Sequence, residues 1–334
     1  MSDSAVPRQP EIFHAGTVTL RSDEVLPAAR LAYVVHGTLN AEGDNAILLP
    51  TFYGSRHDDN AYLIGPDRAL DPGRYCIVVP NLLGNGVSSS PSQTAGPFPL
   101  VTIHDNVTLQ HRLVTEVLGI REFALVIGFS MGGQQAYEWA CRFPAMVRRL
   151  AVLCGAARTA PHTWVFLEGV RAALTSAGPL DDPTAAAAGL RAMARVWAGW
   201  GLSQAWYRQR RHEAAGYASL EQFLAAEWDS GFDGWDARDL LSLIDTWQAH
   251  DVAGPGGDDA AYAAALGRVS AEALIMPCAT DLYFPPEDAA VEVAHLARGR
   301  LCVIDSVWGH AAGGGADPDD LAVIEREVRA LLDR

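Results

Sequence analysis

Lysine is absent: all 25 residues of the Lys+Arg total in this 334-residue chain are arginine. That excludes a Schiff-base lysine and the lysine of a phosphate-binding loop. Positive charge is scarce altogether, with 25 arginines against 40 Asp and Glu and a formal net charge of −15. So acidic a chain is expected to bind neither nucleic acid nor an anionic membrane, and a small-molecule substrate is expected instead. The cysteines are few. Cys76, Cys141, Cys154, Cys278 and Cys302 include no Cys-x-x-Cys pair, are odd in number and lie mostly in apolar runs. Free buried thiols in a reducing compartment are expected, not a disulfide frame or a zinc site. No apolar run approaches the length of a membrane span. Residues 1–7 lack the basic-then-apolar order of a secretory signal, so the expected location is the cytoplasm. Gly84-Asn85-Gly86 lacks the third glycine and the following helix of a dinucleotide fingerprint. His57-Asp58-Asp59 has no second ligand group at a matching spacing, so neither metal nor bound cofactor is expected. No repeat of solenoid period is present.

Against these absences stands Leu125-Val126-Ile127-Gly128-Phe129-Ser130-Met131-Gly132-Gly133-Gln134. An apolar β-branched run passes through Gly-x-Ser-x-Gly into helix-forming sequence. This is the pattern of a nucleophile elbow, where a strand turns sharply into a helix and exposes a serine hydroxyl at the tip. The free N–H groups of the new helix would face negative charge developing at Ser130.

Along the chain, residues 1–10 read as a loose polar tail. Residues 17–20 and 28–35 read as two antiparallel strands. Short apolar strands follow at 46–50 and 75–80, then a helix over 106–118 with Asp105 as its N-cap and Gly119 as its stop. A strand at 123–127, a helix over 131–143 and a strand at 150–154 complete a strand-helix alternation that implies a parallel, doubly wound sheet. Residues 155–267 contain helical runs and no convincing strand. Six tryptophans fall there, read as core at helical spacing. This stretch is expected to be a helical cap inserted into a core formed by 1–154 and 268–334. The sheet resumes at 273–278 and 301–305, with a helix over 287–296 between them and a last helix over 318–332.

A serine hydroxyl needs a base within hydrogen-bond reach, and the base needs an orienting acid. In the order serine, acid, histidine, Asp281 follows the strand ending at Cys278 and His310 follows the last strand. Ser130 would attack an acyl carbonyl, His310 would take and return the proton, and Asp281 would hold the imidazole. His295, His14 and His36 are weaker rivals for the base, and Asp305 for the acid. Two backbone donors are needed for the oxyanion. Met131 N–H is one. Phe52 N–H, in the loop after the third strand, is the second, or Tyr53 N–H if the register is off by one residue. Tyr53 is also a candidate substrate contact.

Together these residues resemble α/β-hydrolase-fold enzymes of the homoserine O-acetyltransferase type. The resemblance runs over roughly residues 40–312. It rests on Asn81-Leu82-Leu83-Gly84-Asn85-Gly86, on Gly128 through Ala140, on Asp281-Leu282-Tyr283-Phe284-Pro285-Pro286-Glu287, and on Gly309-His310. It implies the α/β-hydrolase fold, the Ser130, Asp281 and His310 triad, a covalent acyl-enzyme and a homodimer through the cap helices. It also implies that Arg171, in Val165 through Leu174, grips a substrate carboxylate, for which a bidentate guanidinium is suited. Two departures stand out. The family's aspartate after the catalytic histidine is Ala311 here, and its cap tyrosine before Leu-Ser is Gly201. The first removes a partner for a substrate amine. The expectation is therefore a serine hydrolase of an ester, thioester or amide, with carboxylate-bearing metabolites among the candidates. The alternative is an O-acetyltransferase with acetyl-CoA as co-substrate. A non-catalytic protein that kept the fold is the third class, and an intact triad speaks against it.

Overall fold

The structure is a computed structural model that describes residues 9–334. Most of the expected polar tail lies outside the described residues. β1 (Glu11–Thr19) and β2 (Val25–His36) form an antiparallel hairpin. β1 begins six residues before the expected start. Its register shifts on either side of Gly16, at φ 72°, so the alternation of buried and exposed residues is interrupted and the strand is hard to read in sequence.

Six more strands follow: β3 (Ala46–Leu48), β4 (Cys76–Pro80), β5 (Leu125–Phe129), β6 (Arg149–Leu153), β7 (Glu272–Met276) and β8 (Gly299–Leu301). The sheet order is β1-β2-β4-β3-β5-β6-β7-β8. β2 is antiparallel to β1 and β4, and the remaining pairs are parallel. Every residue of β4 and β5 is buried, as expected for strands covered on both faces. β8 is shorter than the sequence suggests, but ladder bonds continue beyond it. Cys302 N–H donates to Ile275 O at 2.8 Å and Ile304 N–H to Pro277 O at 2.8 Å.

α1 (Ile103–Arg112) and α2 (Met131–Arg142) pack on one face of the sheet, and α11 (Pro318–Leu332) on the other. The first residue of α1 is set by Thr102, not by Asp105. Thr102 Oγ1 accepts from Asp105 N–H at 3.3 Å while the Asp105 carboxylate accepts from Thr102 N–H at 2.8 Å, a reciprocal capping box. Asp105 also accepts from Arg21 N–H at 2.8 Å, tying α1 to the first hairpin.

Between β6 and β7 the described chain is helical: α3 (Pro161–Thr175), α4 (Pro183–Gly201), α5 (Gln204–Arg208), α6 (Arg211–Ala214), α7 (Leu220–Phe223), α8 (Ala237–Gln248) and α9 (Asp259–Gly267). Among the described residues, no helix is long and apolar enough to cross a membrane. All five cysteines are unpaired, four of them buried and Cys302 partly exposed.

One buried carboxylate braces this layout. Glu292, on α10 (Pro286–His295), accepts from Tyr137 OH on α2 at 2.7 Å, from Tyr262 OH on α9 at 3.1 Å and from Ala157 N–H after β6 at 2.7 Å. Burial outweighs these donors and raises its pKa from 4.5 to about 7. Because the folded state binds this proton more tightly than the unfolded chain, the stabilisation is complete below about pH 4.5 and is lost as pH rises to about 7. Glu292→Gln keeps an acceptor for Ala157 and carries no charge. Denaturant midpoints at pH 5 and pH 8 should show E292Q gaining roughly 2–3 kcal/mol on wild type across that interval. A difference that does not change with pH would contradict this.

Candidate active site

At the end of β5 the chain enters Ser130 at φ 55° and ψ −124°, then turns directly into α2. Such a conformation is unfavourable for a residue with a Cβ, by about 1–3 kcal/mol. The neighbouring residues enforce it. A Cβ on Gly128 would lie 2.1 Å from the Gly132 backbone, so the strand and the helix pass as closely as only glycine allows. Ser130 N–H donates to Leu153 O at 3.0 Å, and Ser130 O accepts from Gln134 N–H at 3.1 Å.

Three side chains from distant positions meet at this turn. His310 Nε2 lies 2.9 Å from Ser130 Oγ, and His310 Nδ1 lies 2.8 Å from Asp281 Oδ2. The other Asp281 oxygen accepts from Tyr283 N–H at 2.8 Å and Phe284 N–H at 3.2 Å. The carboxylate is therefore fully bonded, with no exposed side-chain surface, and it fixes which ring nitrogen carries the proton. The imidazole is also clamped by rings. It stacks on Phe129 at 4.7 Å and meets Tyr283 edge-on at 4.7 Å. Cys154 comes within 4.8 Å of Asp281 and His310, a potential metal-ligand set. Asp281 and His310 are bonded to each other, and burial holds the Cys154 thiol well above its usual pKa, so this grouping does not suit a metal. In the His57 group, the ring Nδ1 lies 3.4 Å from Asn81 Oδ1, and the Asp59 carboxylate accepts from Arg56 N–H at 2.6 Å.

Met131 opens α2 directly after Ser130, so its N–H is one of the four that a helix start leaves without an intrahelical acceptor. Phe52 N–H donates to Ser55 Oγ at 2.7 Å within its own turn. The preceding carbonyl, Thr51 O, accepts from Gln135 Nε2 on α2 at 2.8 Å, and the same nitrogen donates to Met131 O at 3.2 Å. Gln135 is held in turn by Gln110 Nε2 at 2.6 Å, and Gln110 by Trp139 Nε1 at 2.8 Å. One buried amide thus joins the loop that carries Phe52 to the first turn of α2, which carries Met131. The bridging role of Gln135 is not readable in sequence, because Thr51 and Gln110 reach it only in the folded chain.

A cavity of about 230 Å³ opens over Ser130 and His310. Tyr53, Trp197, Trp228, Phe232, Trp247 and Tyr283 supply much of its wall, and no lining residue is Arg, Asp or Glu. Tyr53 stacks on Trp197 at 4.9 Å. Three of the six tryptophans read as core are thus also cavity wall. Ala311 lines the cavity where the resemblance calls for an aspartate. Arg171, expected to grip a substrate carboxylate, is not among the residues that line this cavity. Its guanidinium is spent on Glu168 at 3.0 Å, Asp245 at 2.5 Å and Gln248 at 2.6 Å. Two carboxylates satisfy it within the inserted helices, and no lining cation remains to bind a substrate carboxylate.

The model of the α/β hydrolase fold family matches residues 47–313. The chain belongs to that family. Among its α/β hydrolase relatives is the ethyl acetate hydrolase of Pseudomonas veronii, 39% identical, with 96% of this chain and 95% of the relative covered. The solved structure of an acetylester hydrolase from Corynebacterium glutamicum superposes with a TM-score of 0.91 at 35% identity, covering 98% of this chain and 96% of that one. The homoserine O-acetyltransferase of Symbiobacterium thermophilum is 31% identical, with 94% of this chain and 91% of the relative covered. The expected family is therefore the one found.

Two substitutions test the cavity. Arg171→Met should leave kcat/KM for p-nitrophenyl acetate within about twofold and lower stability by no more than about 1 kcal/mol. In Gly201→Leu the new Cβ would lie 3.0 Å from the Trp228 ring. It should depress kcat/KM for p-nitrophenyl butyrate at least about tenfold more than for the acetate. Equal losses on both esters would mean that Gly201 does not limit substrate size.

Proposed function

We propose that this enzyme hydrolyses small, uncharged carboxylic esters, acetate esters foremost, through an acyl-enzyme on Ser130. The reading is carried by the unbroken chain of hydrogen bonds from Ser130 through His310 to Asp281, ending under a small aromatic cavity without charge. The relatives named for ethyl acetate and acetyl ester hydrolysis support the same choice.

In the acylation half, Ser130 Oγ attacks the ester carbonyl as its proton passes to His310 Nε2. The tetrahedral oxyanion is received by Met131 N–H and Phe52 N–H. The second donor is held by Ser55 Oγ until the substrate oxygen replaces it, so the buried amide is never without an acceptor. The imidazolium is stabilised by Asp281 and gives its proton to the leaving alkoxide. Water then repeats the sequence on the acyl-enzyme, with His310 first as base and afterwards as acid.

Acyl transfer from acetyl-CoA to an amino-acid hydroxyl is the second reading, supported by the homoserine O-acetyltransferase relatives. Hydrolysis is favoured because Ala311 offers no carboxylate to an acceptor amine, and Arg171 is engaged elsewhere. No bound cofactor has a part in the hydrolytic reading. Unpaired cysteines fit work in the cytoplasm.

Ser130→Ala should lower kcat for p-nitrophenyl acetate by at least about a thousandfold with the fold retained. A fluorophosphonate should label Ser130 in the wild type. Product analysis with homoserine present should still yield free acetate. Acetylated homoserine appearing at the expense of acetate would establish transfer in place of hydrolysis.

A further inference from the structure

We infer that Ser203, on the inserted helices and outside the triad, is a positioning residue that holds the loop of His310. The inference rests on the esterase reading above, in which His310 is the base. Leu202-Ser203 interrupts the helical run between α4 and α5, and Ser203 is 2% exposed. Its hydroxyl does two things. Ser203 Oγ accepts from Trp206 N–H at 3.0 Å, capping α5, and donates to Val307 O at 2.5 Å. The inserted helices are thereby bonded to the main chain three residues before the base.

Two further observations place the same seam at this point. Gly309, at φ 63°, lies so close to the insertion that a Cβ on it would be 2.9 Å from Ser203 N and 3.1 Å from Gly201 O. That is contact of backbone with backbone, tolerable only without a side chain. Trp308 and Ala311, on either side of Gly309 and His310, pack against the cluster of Leu202, Trp206 and Phe223 in the insertion. From the core side, Thr280 Oγ1 accepts from Gly309 N–H at 3.1 Å and donates to Ser306 O at 2.8 Å, next to Asp281 in sequence. The base loop is thus gripped between Thr280 on the core and Ser203 on the insertion.

The Ser130–His310 contact tolerates little movement. Catalytic groups need placement to about 0.5 Å, and a misplacement of about 1 Å can cost about a hundredfold in rate. Removing the Ser203 hydroxyl frees the Val307 carbonyl and unties α5 at once, while the triad and the cavity lining keep their chemistry.

The experiment compares wild type, Ser203→Ala, Ser203→Thr and Ser219→Ala on p-nitrophenyl acetate, together with the rate of Ser130 labelling by a fluorophosphonate. Ser219 Oγ caps α7 in the same insertion, accepting from Gln222 N–H at 3.1 Å, and does not lie at the seam. S203A should lower kcat about 10- to 100-fold with KM changed less than about threefold, and slow labelling by the same factor. S203T, which keeps the hydroxyl, should recover most of the loss, and S219A should stay within about twofold of wild type. The inference is overturned if S203A keeps kcat within about twofold, if only KM moves, or if S219A loses as much. Should S203A not fold, Ser203→Cys, which keeps the shape of the side chain and weakens its bond to Val307 O, replaces it, with the same supporting and overturning outcomes. Wild type that neither turns over the ester nor labels would sink the esterase reading itself. Active wild type beside an unaffected S203A would sink only the role of Ser203.

Discussion

Ser130 is held in a backbone conformation that its own side chain disfavours, and the rest of the architecture keeps it there. The parallel strands β5 and β6 accept its N–H in their ladder, through Leu153 O. α2 starts on the next residue and cannot shift, because a Cβ on Gly132 would already be 2.8 Å from Pro50 O. Strain of about 1–3 kcal/mol persists only where the surroundings leave the chain no alternative. Here they also aim one hydroxyl at one imidazole. The sheet, the braced α2 and the Gln135 bridge are three means to that end.

The central sheet and the elbow are legible in the amino-acid sequence because their signals are local. Continuous apolar runs mark strands covered on both faces, and Gly-x-Ser-x-Gly is a short-range steric solution. Asp281 and His310 are legible from their order after late strands. What escapes is decided by tertiary contact. The bulge at Gly16 breaks the alternation that would announce β1. Asp105 has the right chemistry for a cap but serves as the third residue of one, because Thr102 precedes it. Arg171 sits on the helix where the family resemblance puts a substrate-binding arginine. Asp245 and Gln248, distant in sequence, take up its guanidinium. Trp197, Trp228 and Trp247 follow a core-like spacing and are indeed buried or nearly so, yet they also face a cavity. Periodicity reports burial without saying whether the covered surface belongs to protein or to ligand.

The chemistry of the cavity follows from what is missing as much as from what is there. Ser130 and His310 supply the polar side chains of the wall, and aromatic rings supply most of the rest. A charged substrate group would lose its water and gain no partner in such a wall, which penalises it by more than its contacts return. A neutral acyl or alkyl group meets no such penalty. On the esterase reading proposed above, a charged substrate would be disfavoured without any repulsive residue, and size would be limited by the rings close to the Gly201 backbone.

The seam between Gly309 and residues 201–203 also bears on modularity. An inserted segment that touches its host only through side chains can be exchanged between relatives by repacking. This one meets the host backbone to backbone, at a position where a methyl group would not fit, and shares a hydrophobic cluster with the residues flanking His310. Residues 201–203 and 307–311 are packed together as one body. Helices taken from another member of the family would have to leave the same room beside Gly309 for this contact to survive.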